Sequence, residues 1–239
     1  MTSFLDRFSV VLLDLNSTFM FGEDRFGAEY DYFVTYREAG GTSLSASEVR
    51  SVIDACYAHL LRLYRDPAFV DDFPTVREAF ETIASVRGLP ADERARLERV
   101  FGTHELGRVP DEYATALQHL ARTHRLGLVS NIWSPRSIWL AELSRAGVAD
   151  LFDVMVFSSD GRSMKPSLRL FETALAAFDV PRAEVVMVGD NYVADVVPAQ
   201  AAGLAAVWIN PASKPVPDGG PPPDHIVPDL LSLVRRDAA

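Results

Sequence analysis

Apolar residues along this chain occur in short runs that alternate with segments of helical periodicity. Five apolar runs, each bounded by turn or helix-cap residues, predict buried parallel strands, and a sixth strand is expected at residues 225–227. The five runs span residues 8–13, 125–129, 154–157, 185–188 and 205–209. Helical patterns separate the later runs: one follows Ser134 and Pro135 and stops at Gly147, another begins at Pro166, and a third ends at Gly203. This alternation predicts a doubly wound, Rossmann-like α/β core, in which helices cover both faces of a parallel sheet.

The first and second predicted strands are separated by a long segment with its own helical pattern. A strand-helix-strand unit needs only about 30 residues, whereas the second run begins at residue 125. Ser45 with Glu48, and Thr75 with Glu78, form capping-box patterns that each open a helix, and a third helical segment covers residues 92–101. We therefore expect an α-helical cap at residues 20–106, inserted into a core that consists of residues 1–19 and 107–239. Residues 211–223 are rich in proline and glycine and predict a surface loop before a short terminal helix.

The composition narrows the kinds of partner that the protein can have. The chain has 239 residues, a formal net charge of -10 and a single cysteine, Cys56. This charge opposes binding to nucleic acid and to anionic membranes, but it does not oppose a divalent cation. One cysteine can form neither an intramolecular disulfide nor a thiolate metal cage, which fits a reducing cytoplasm. The apolar run at residues 8–13 is too short to span a bilayer. No membrane association is expected, and the oligomeric state, including a homodimer, stays open.

Polar residues follow the apolar runs at four of the predicted strand ends. They are Asp14 after the first run, Ser130 and Asn131 after the second, Lys165 near the third, and Asp190 and Asp195 after the fourth. Taken singly, such a carboxylate is more often a turn or cap residue, and such a lysine usually lies on the surface. Ligands bind outside the carboxyl ends of parallel strands, however, so the coincidence of the four positions favours a functional site. Carboxylates from two strand ends can hold Mg²⁺, the lysine can offset phosphate charge, and Ser130 can donate to phosphoryl oxygens. Asp14 is the candidate nucleophile.

Four segments resemble the motifs of the haloacid dehalogenase-like hydrolase superfamily. The segment LLDLNSTF at residues 12–19 is similar to the first motif, which is usually Asp-x-Asp-x-Thr, and VSN at residues 129–131 is similar to the second. Lys165 with Pro166 resembles the third motif, and VGDNYVADVVPAQAAGL at residues 188–204 resembles the fourth. The resemblance covers nearly the whole chain, and it implies the same α/β core with an inserted helical cap.

The resemblance also implies roles for individual residues. Asp14 would be the nucleophile of a covalent two-step mechanism in which Lys165 takes part, and Asn16 occupies the general acid and base position. The residues that would hold the phosphate group are Thr18, Ser130, Asn131 and Lys165. The residues that would hold Mg²⁺ are Asp14, Asp190, Asp195 and, through its backbone carbonyl, Asn16. The expected substrate is a small phosphorylated molecule.

Position 16 departs from the family's pattern. Phosphatases of the family carry an aspartate there, and the amide of Asn16 cannot donate or accept the required proton. Ser17 stands in place of the usual glycine.

Three interpretations of the function follow from these residues. The first is a Mg²⁺-dependent phosphohydrolase whose leaving group departs easily or is protonated by the cap or by the substrate, and Asp190 and Asp195 favour it. The second is a 2-haloacid dehalogenase, since a halide needs no proton to leave, and the segment DDFPTVREAF at residues 71–80 is similar to that branch. The third is a weakly catalytic protein that binds a phosphorylated ligand or a partner.

The cap is expected to select the substrate. Its candidate contact residues are Arg25, Tyr30, Tyr32, Arg37, His59 and Arg62. A histidine on a largely apolar helix, such as His59, is more often a core residue. Trp133 is expected to shape the pocket, and Trp139 is expected to pack in the core. Nothing in the sequence identifies the substrate.

Overall fold

Six parallel strands form the central sheet of the molecule. The computed structural model describes residues 4–234, so the ends of the predicted core, residues 1–3 and 235–239, lie outside the described residues. The strand order β3-β2-β1-β4-β5-β6, with every neighbouring pair parallel, confirms the predicted doubly wound fold. The strands are β1 (Val10–Leu13), β2 (Arg125–Ser130), β3 (Phe152–Phe157), β4 (Val185–Gly189), β5 (Ala205–Ile209) and β6 (His225–Val227).

β1 lies at the centre of the sheet, and its register sets the position of the candidate functional residues. All of its residues are completely buried, which explains the uninterrupted apolar run. Leu13 pairs with Leu128 of β2 and with Val188 of β4. The residues just beyond these pairs, Asp14 and Ser130 among them, therefore meet at one edge of the sheet.

Five α-helices lie within residues 20–106, where the sequence predicts the cap. They are α1 (Tyr32–Glu38), α2 (Ala46–Tyr64), α3 (Val76–Glu81), α4 (Ala84–Arg87) and α5 (Ala91–Glu105). Capping boxes begin α2 and α3 as predicted. These helices bury an apolar cluster of their own, which Trp133 and Met164 from loops of the core join. The cap cluster therefore rests directly on the loops at the sheet's carboxyl edge, whereas the domain boundaries at residues 20 and 106 stay a prediction.

Helices cover both faces of the sheet. They are α6 (Asp111–Leu120), α7 (Arg136–Arg145), α8 (Leu168–Leu175), α9 (Val197–Ala201) and α10 (Leu230–Val234). Successive residues of a strand point to opposite faces. Accordingly, Val11 and Leu13 belong to the buried cluster that contains α6, α7 and α10 residues, and Val10 and Leu12 belong to the cluster that contains α8 and α9 residues.

Local hydrogen bonds shift several element boundaries from those predicted. β1 begins at Val10 rather than at residue 8, because the amide of Phe8 closes a preceding 3-10 turn by donating to the Leu5 carbonyl over 2.9 Å. α7 begins at Arg136, and the hydroxyl of Ser134 accepts from the Trp139 indole over 2.8 Å instead of capping the helix. The periodicity that indicated α2, α3 and α5 did not indicate α1, α4 or α6.

The segment after β5 runs over the surface, as its composition predicts. Most residues between 211 and 223 are exposed and form no regular element. Within residues 4–234, no helix has both the length and the apolar character that crossing a bilayer requires.

Candidate active site

The ends of four strands bring polar side chains into one buried group. Asp14 follows β1 and is 6% exposed, and Lys165, in the loop after β3, is 3% exposed. The Lys165 Nζ donates to Asp14 Oδ1 over 2.6 Å and to Asp195 Oδ1 over 2.5 Å. Ser130, the last residue of β2, donates its hydroxyl to the same Asp14 Oδ1 over 2.9 Å. The buried ammonium therefore offsets two carboxylates that would otherwise repel each other.

Both contacts on Asp14 use the same carboxylate oxygen. Within the described part of the chain, Asp14 Oδ2 accepts no hydrogen bond, and Asp14 lines a pocket. Two donors thus orient the carboxylate and leave its second oxygen free. A carboxylate held in this way is suited to attack on an electrophile in the pocket.

Asn131 determines where Lys165 lies. Its side-chain oxygen accepts from the Lys165 amide over 2.7 Å, and its side-chain nitrogen donates to the Lys165 carbonyl over 3.0 Å. Since the long side chain of lysine has many rotamers, fixing its backbone is the first step in aiming the ammonium. Asn131 also lines the pocket.

The fourth strand end places two further carboxylates beside Asp14. Asp195 lies in a π-helical turn, Tyr192–Val196, of the kind that is frequent at functional sites. A Cβ atom at Gly189 would come within 2.3 Å of an Asp195 oxygen, so the close approach of this turn requires glycine. The Asn191 amide donates to Asp195 Oδ2 over 2.9 Å. The Trp208 indole donates to the Asp190 carbonyl over 2.9 Å and fixes the backbone there.

These carboxylates form a set of hard oxygen donors. Carboxylate oxygens of Asp14, Asp190 and Asp195 lie within 4.8 Å of one another. Burial and the charge of Asp14 raise the pKa of Asp190 to about 7. Burial also raises the pKa of Asp195, to about 6, although Lys165 opposes this. A donor set made of a few carboxylates fits Mg²⁺. The positive charge of a bound ion would relieve the repulsion among the three carboxylates.

The segment after Asp14 turns sharply beneath the pocket. Ser17 has a φ of 55°, and its amide donates to the Met20 carbonyl over 2.8 Å. Asn16 lines the pocket, and its side-chain oxygen is buried without a hydrogen-bond partner among the described residues. Thr18 is 1% exposed and does not line the pocket, and its hydroxyl likewise has no partner in residues 4–234.

The pocket has a volume of about 240 Å³ and lies between the sheet edge and the cap. The sequence-predicted residues in its wall are Asp14, Asn16, Ser130, Asn131, Lys165 and Asp190, together with Trp133. Sequence reasoning missed the side that comes from the cap and its linker: Glu23, Asp24, Tyr57, Leu61, Tyr64 and Glu105. Residues 57, 61 and 64 repeat at helical spacing on α2, so the sequence indicates that they share one face of this helix. The sequence does not indicate that this face lies against the pocket.

The six cap residues proposed from the sequence do not line this pocket. Arg25 turns its guanidinium to the backbone carbonyls of Gly22, Thr103 and Leu106. Arg37 likewise bonds the Gly41 carbonyl, over 2.9 Å. Trp133 does line the pocket and Trp139 is fully buried, as predicted.

Two acidic residues of the pocket's cap side have raised pKa values. Glu105 is 4% exposed, and burial raises its pKa to about 7 even though its carboxylate accepts from the amides of Trp133 and Ser134 over 2.6 and 2.8 Å. Asp24 opens onto the solvent of the pocket, but the surrounding walls and the charge of Glu23 raise its pKa to about 6. Above about pH 7, where both carboxyls are ionised, the cap side of the pocket is therefore a region of negative potential.

Comparison with known proteins places this site in a family. Residues 8–203 match the model of the haloacid dehalogenase-like hydrolases. A phosphoserine phosphatase from Thermus thermophilus is 34% identical over 160 residues, which cover 66% of this chain and 63% of that protein, so the chain spans less than two thirds of that relative's length. The structure of a 2-haloacid dehalogenase from Pseudomonas syringae has a TM-score of 0.63 and 25% identity, covering 95% of this chain and 96% of that chain. A Bacillus subtilis hydrolase bound to magnesium shares the fold, with a TM-score of 0.61 and 19% identity over 96% of this chain and 98% of that chain. Since the family model matches most of its length, this chain belongs to the haloacid dehalogenase-like hydrolases.

Proposed function

We propose that this protein is a Mg²⁺-dependent phosphohydrolase that cleaves a small phosphate ester through an aspartyl-phosphate on Asp14. The observation that carries the proposal is the carboxylate cluster, in which oxygens of Asp14, Asp190 and Asp195 approach within 4.8 Å. Such a cluster beside a nucleophile suits a divalent cation and a phosphate group together. The similarity to a phosphoserine phosphatase supports the same chemistry.

In the first step, Asp14 Oδ2 attacks phosphorus, and the bond between phosphorus and the ester oxygen breaks with its electron pair on the leaving oxygen. Ser130 and Lys165, which hold Asp14 Oδ1 at 2.9 and 2.6 Å, lie where they can also donate to phosphoryl oxygens. In the second step, water attacks the phosphorus of the aspartyl-phosphate, releases inorganic phosphate and regenerates the carboxylate. Bound Mg²⁺ would offset the negative charge of the phosphoryl group during both steps.

The amide of Asn16 limits which esters react quickly. Asn16 lines the pocket beside Asp14, where it can donate a hydrogen bond but cannot deliver a proton to a leaving alkoxide. Substrates whose leaving group needs little protonation, such as acyl phosphates, are therefore expected to react faster than simple alkyl phosphates.

A 2-haloacid dehalogenase is the second candidate. It is favoured by the 25% identity to a dehalogenase of that class and by Asn16, because displacement of a halide needs no acid. The same Asp14 oxygen would then attack carbon instead of phosphorus. This reaction gives no role to a divalent cation at Asp190, which is why the phosphohydrolase is preferred.

Release of phosphate and of chloride from the same preparation tests both candidates. Phosphate release from acetyl phosphate is measured with Mg²⁺ and with chelator, and chloride release is measured from a 2-chloroacid. We expect Mg²⁺-dependent phosphate release that Asp14→Asn abolishes, since the amide is not nucleophilic. Asp179→Asn, the same change at an exposed position outside the pocket wall, serves as the matched control. Chloride release that is insensitive to chelator, without phosphate release, would establish the dehalogenase instead.

A further inference from the structure

The active-site pocket has an inner end at the sheet and an outer end at the cap. The strand ends and the loops that follow them form the inner end, which contains Asp14, Ser130, Asn131, Lys165 and Asp190. The linker, α2 and the end of α5 form the outer end, which contains Glu23, Asp24, Tyr57, Tyr64 and Glu105. The leaving group of a substrate attached to Asp14 would extend from the sheet towards this outer end.

The carboxylates that line the outer end are those of Glu23, Asp24 and Glu105. Among the described residues of the pocket wall, Lys165 is the one cation, and it is bound to Asp14 and Asp195 at the inner end. The charge of Arg65 acts on Tyr57, but Arg65 is exposed and does not line the pocket. Arg25 follows Asp24 in sequence, but its guanidinium is hydrogen bonded to backbone carbonyls. A substrate that brings more negative charge to this end is repelled, and one that brings positive charge is attracted.

Aromatic side chains form the rest of the outer wall. The ring centroid of Trp133 lies 5.8 Å from that of Tyr57 and 5.6 Å from that of Tyr64, and all three residues line the pocket. Phe26 stacks on Tyr57 with centroids 4.3 Å apart and holds that ring in place. Aromatic walls beside carboxylates attract organic cations, since the ring face carries negative electrostatic potential.

Asp24 is the carboxylate best placed for direct contact. Glu23 accepts from the Ser17 hydroxyl over 2.8 Å, and both oxygens of Glu105 accept from backbone amides. The Asp24 carboxylate, by contrast, accepts no hydrogen bond from any residue between 4 and 234, and it is open to the pocket solvent. It is thus the acid that can pair with a ligand without losing a protein contact.

We propose that the substrate is the phosphate monoester of a small amino alcohol, whose ammonium or quaternary ammonium group binds at the outer end of the pocket between Asp24 and the rings of Tyr57 and Trp133. The proposal rests on the phosphohydrolase function and adds the chemical class of the leaving group. Because Asn16 supplies no acid, the amino alcohol leaves as an alkoxide that takes its proton from water, and this ester stays slower than an acyl phosphate. The cation site raises kcat/KM relative to other alkyl esters through binding. A cavity of about 240 Å³ limits this group to a small one. Phosphate esters and 2-haloacids that carry a carboxylate on the same side are disfavoured by the charges of Glu23, Asp24 and Glu105.

Three esters that differ in charge test the proposal. They are phosphocholine, its neutral isostere in which carbon replaces the ammonium nitrogen, and phosphoglycolate, which carries a carboxylate. With Mg²⁺ at pH 8, we expect kcat/KM for phosphocholine to exceed that of the neutral isostere by about 10- to 100-fold, and phosphoglycolate to be the poorest substrate.

The variant Asp24→Asn should reduce the preference for phosphocholine over the neutral isostere by about 10-fold. Asparagine tolerates the left-handed backbone at this position, where φ is 55°, and Glu38→Gln, at an exposed cap position outside the pocket wall, is the matched control.

Binding to Asp14→Asn, measured by calorimetry with Mg²⁺, separates this proposal from the phosphohydrolase function. Tighter binding of phosphocholine than of its neutral isostere supports the cation site even if no ester is hydrolysed. Equal affinities for the two esters, together with Mg²⁺-dependent hydrolysis of acetyl phosphate, would overturn the cation site and leave the phosphohydrolase in place. An equal loss of hydrolysis of both alkyl esters in Asp24→Asn would also overturn it, because Asp24 would then act as an acid for the leaving group.

Discussion

At the residue scale, the proposed mechanism makes the side chain at position 16 the residue that decides which leaving groups Asp14 can displace. Asn16 stands in the pocket wall with its side-chain oxygen buried and without a partner among the described residues. Aspartate has nearly the same shape, so replacing the amide changes the available proton chemistry much more than the packing. Position 16 is therefore where acid catalysis can be added with a single substitution.

Asn16→Asp is expected to raise the hydrolysis of alkyl phosphates by about 10² to 10⁴-fold, the usual contribution of a positioned general acid. Acyl phosphates should change little, because their leaving groups need little protonation. The measurement is kcat/KM with Mg²⁺ on an alkyl phosphate and on acetyl phosphate, with Asp14→Asn as the blank. No change on either substrate, in a variant that is folded and binds Mg²⁺, would count against the phosphohydrolase.

Glu105 links the last cap helix to the loop after β2, and it makes stability depend on pH. Burial raises its pKa from 4.5 to about 7, so between these values the folded protein holds a proton that the unfolded chain has lost. The resulting stabilisation is present below pH 4.5 and is lost as the pH rises through about 7. The contribution of Glu105 to the free energy of unfolding is at most roughly 3 kcal/mol, since one pKa unit corresponds to about 1.4 kcal/mol.

Glu105→Gln is therefore expected to flatten the decline in the free energy of unfolding between pH 5 and pH 8. Denaturation by urea at the two pH values, in chelator, measures the decline in each protein. The glutamine loses one amide contact and lowers stability at both pH values, so only the difference between them is diagnostic. Glu112→Gln, at an exposed position of α6, should leave the wild-type decline in place. If the free energy of unfolding declines as steeply in Glu105→Gln as in the wild type, titration of groups other than Glu105 causes the decline.

At the element scale, α5 of the cap and α7 of the core approach closely at Gly102. A Cβ atom at this position would lie 2.2 Å from Ile138 Cδ1 and 3.0 Å from Ser134 Cβ. Glycine costs helix stability relative to alanine, by about 1 kcal/mol, so its presence inside α5 reflects the lack of space. This contact lies next to Glu105 and Ser134, which are hydrogen bonded to each other across the same boundary.

Gly102→Ala is expected to lower the free energy of unfolding by about 1 to 3 kcal/mol, as overpacking does, despite the better helix propensity of alanine. Gly88→Ala is the matched control: Gly88 ends α4 with nothing within 4 Å of the added Cβ and with an ordinary φ of −86°, so it should be neutral or slightly stabilising. Thermal and urea denaturation measure both variants. Equal stabilisation of the two would mean that α5 and α7 separate at little cost.

At the scale of the whole molecule, a cation bound at the carboxylate cluster would connect strands from both halves of the sheet. Asp14 follows β1, while Asp190 and Asp195 follow β4, and all three come within 4.8 Å. A ligand that binds only the folded state raises its stability, by roughly 2.7 kcal/mol when its concentration is 100 times Kd. The stability of the fold should therefore respond to Mg²⁺.

Mg²⁺ is expected to raise the melting temperature with the logarithm of its concentration above Kd, and Asp190→Ala should remove the increase. Differential scanning calorimetry with Mg²⁺ and with chelator gives the shift for each protein. Asp179→Ala, an exposed position away from the pocket, should show the wild-type shift. Identical melting of the wild-type protein in Mg²⁺ and in chelator would contradict a magnesium site at this cluster.

The sequence alone determined the sheet and the core side of the pocket, because both depend on patterns that are short in sequence. Five apolar runs predicted five of the strands, a sixth was expected at residues 225–227, and two capping boxes located the starts of α2 and α3. Polar residues after the runs located Asp14, Ser130 and Lys165, since the carboxyl ends of parallel strands meet wherever such a sheet forms.

Only the tertiary structure decided which cap residues face those strand ends. Asp24, Tyr57 and Glu105 come from the linker, α2 and the end of α5, and no local periodicity relates them. Arg25, a sequence candidate for substrate contact, instead bonds backbone carbonyls near the end of α5. The identity of the pocket's outer wall depends on how the cap helices pack on the loops of the core, and that packing results from contacts between residues distant in sequence, which a pattern along the chain does not encode.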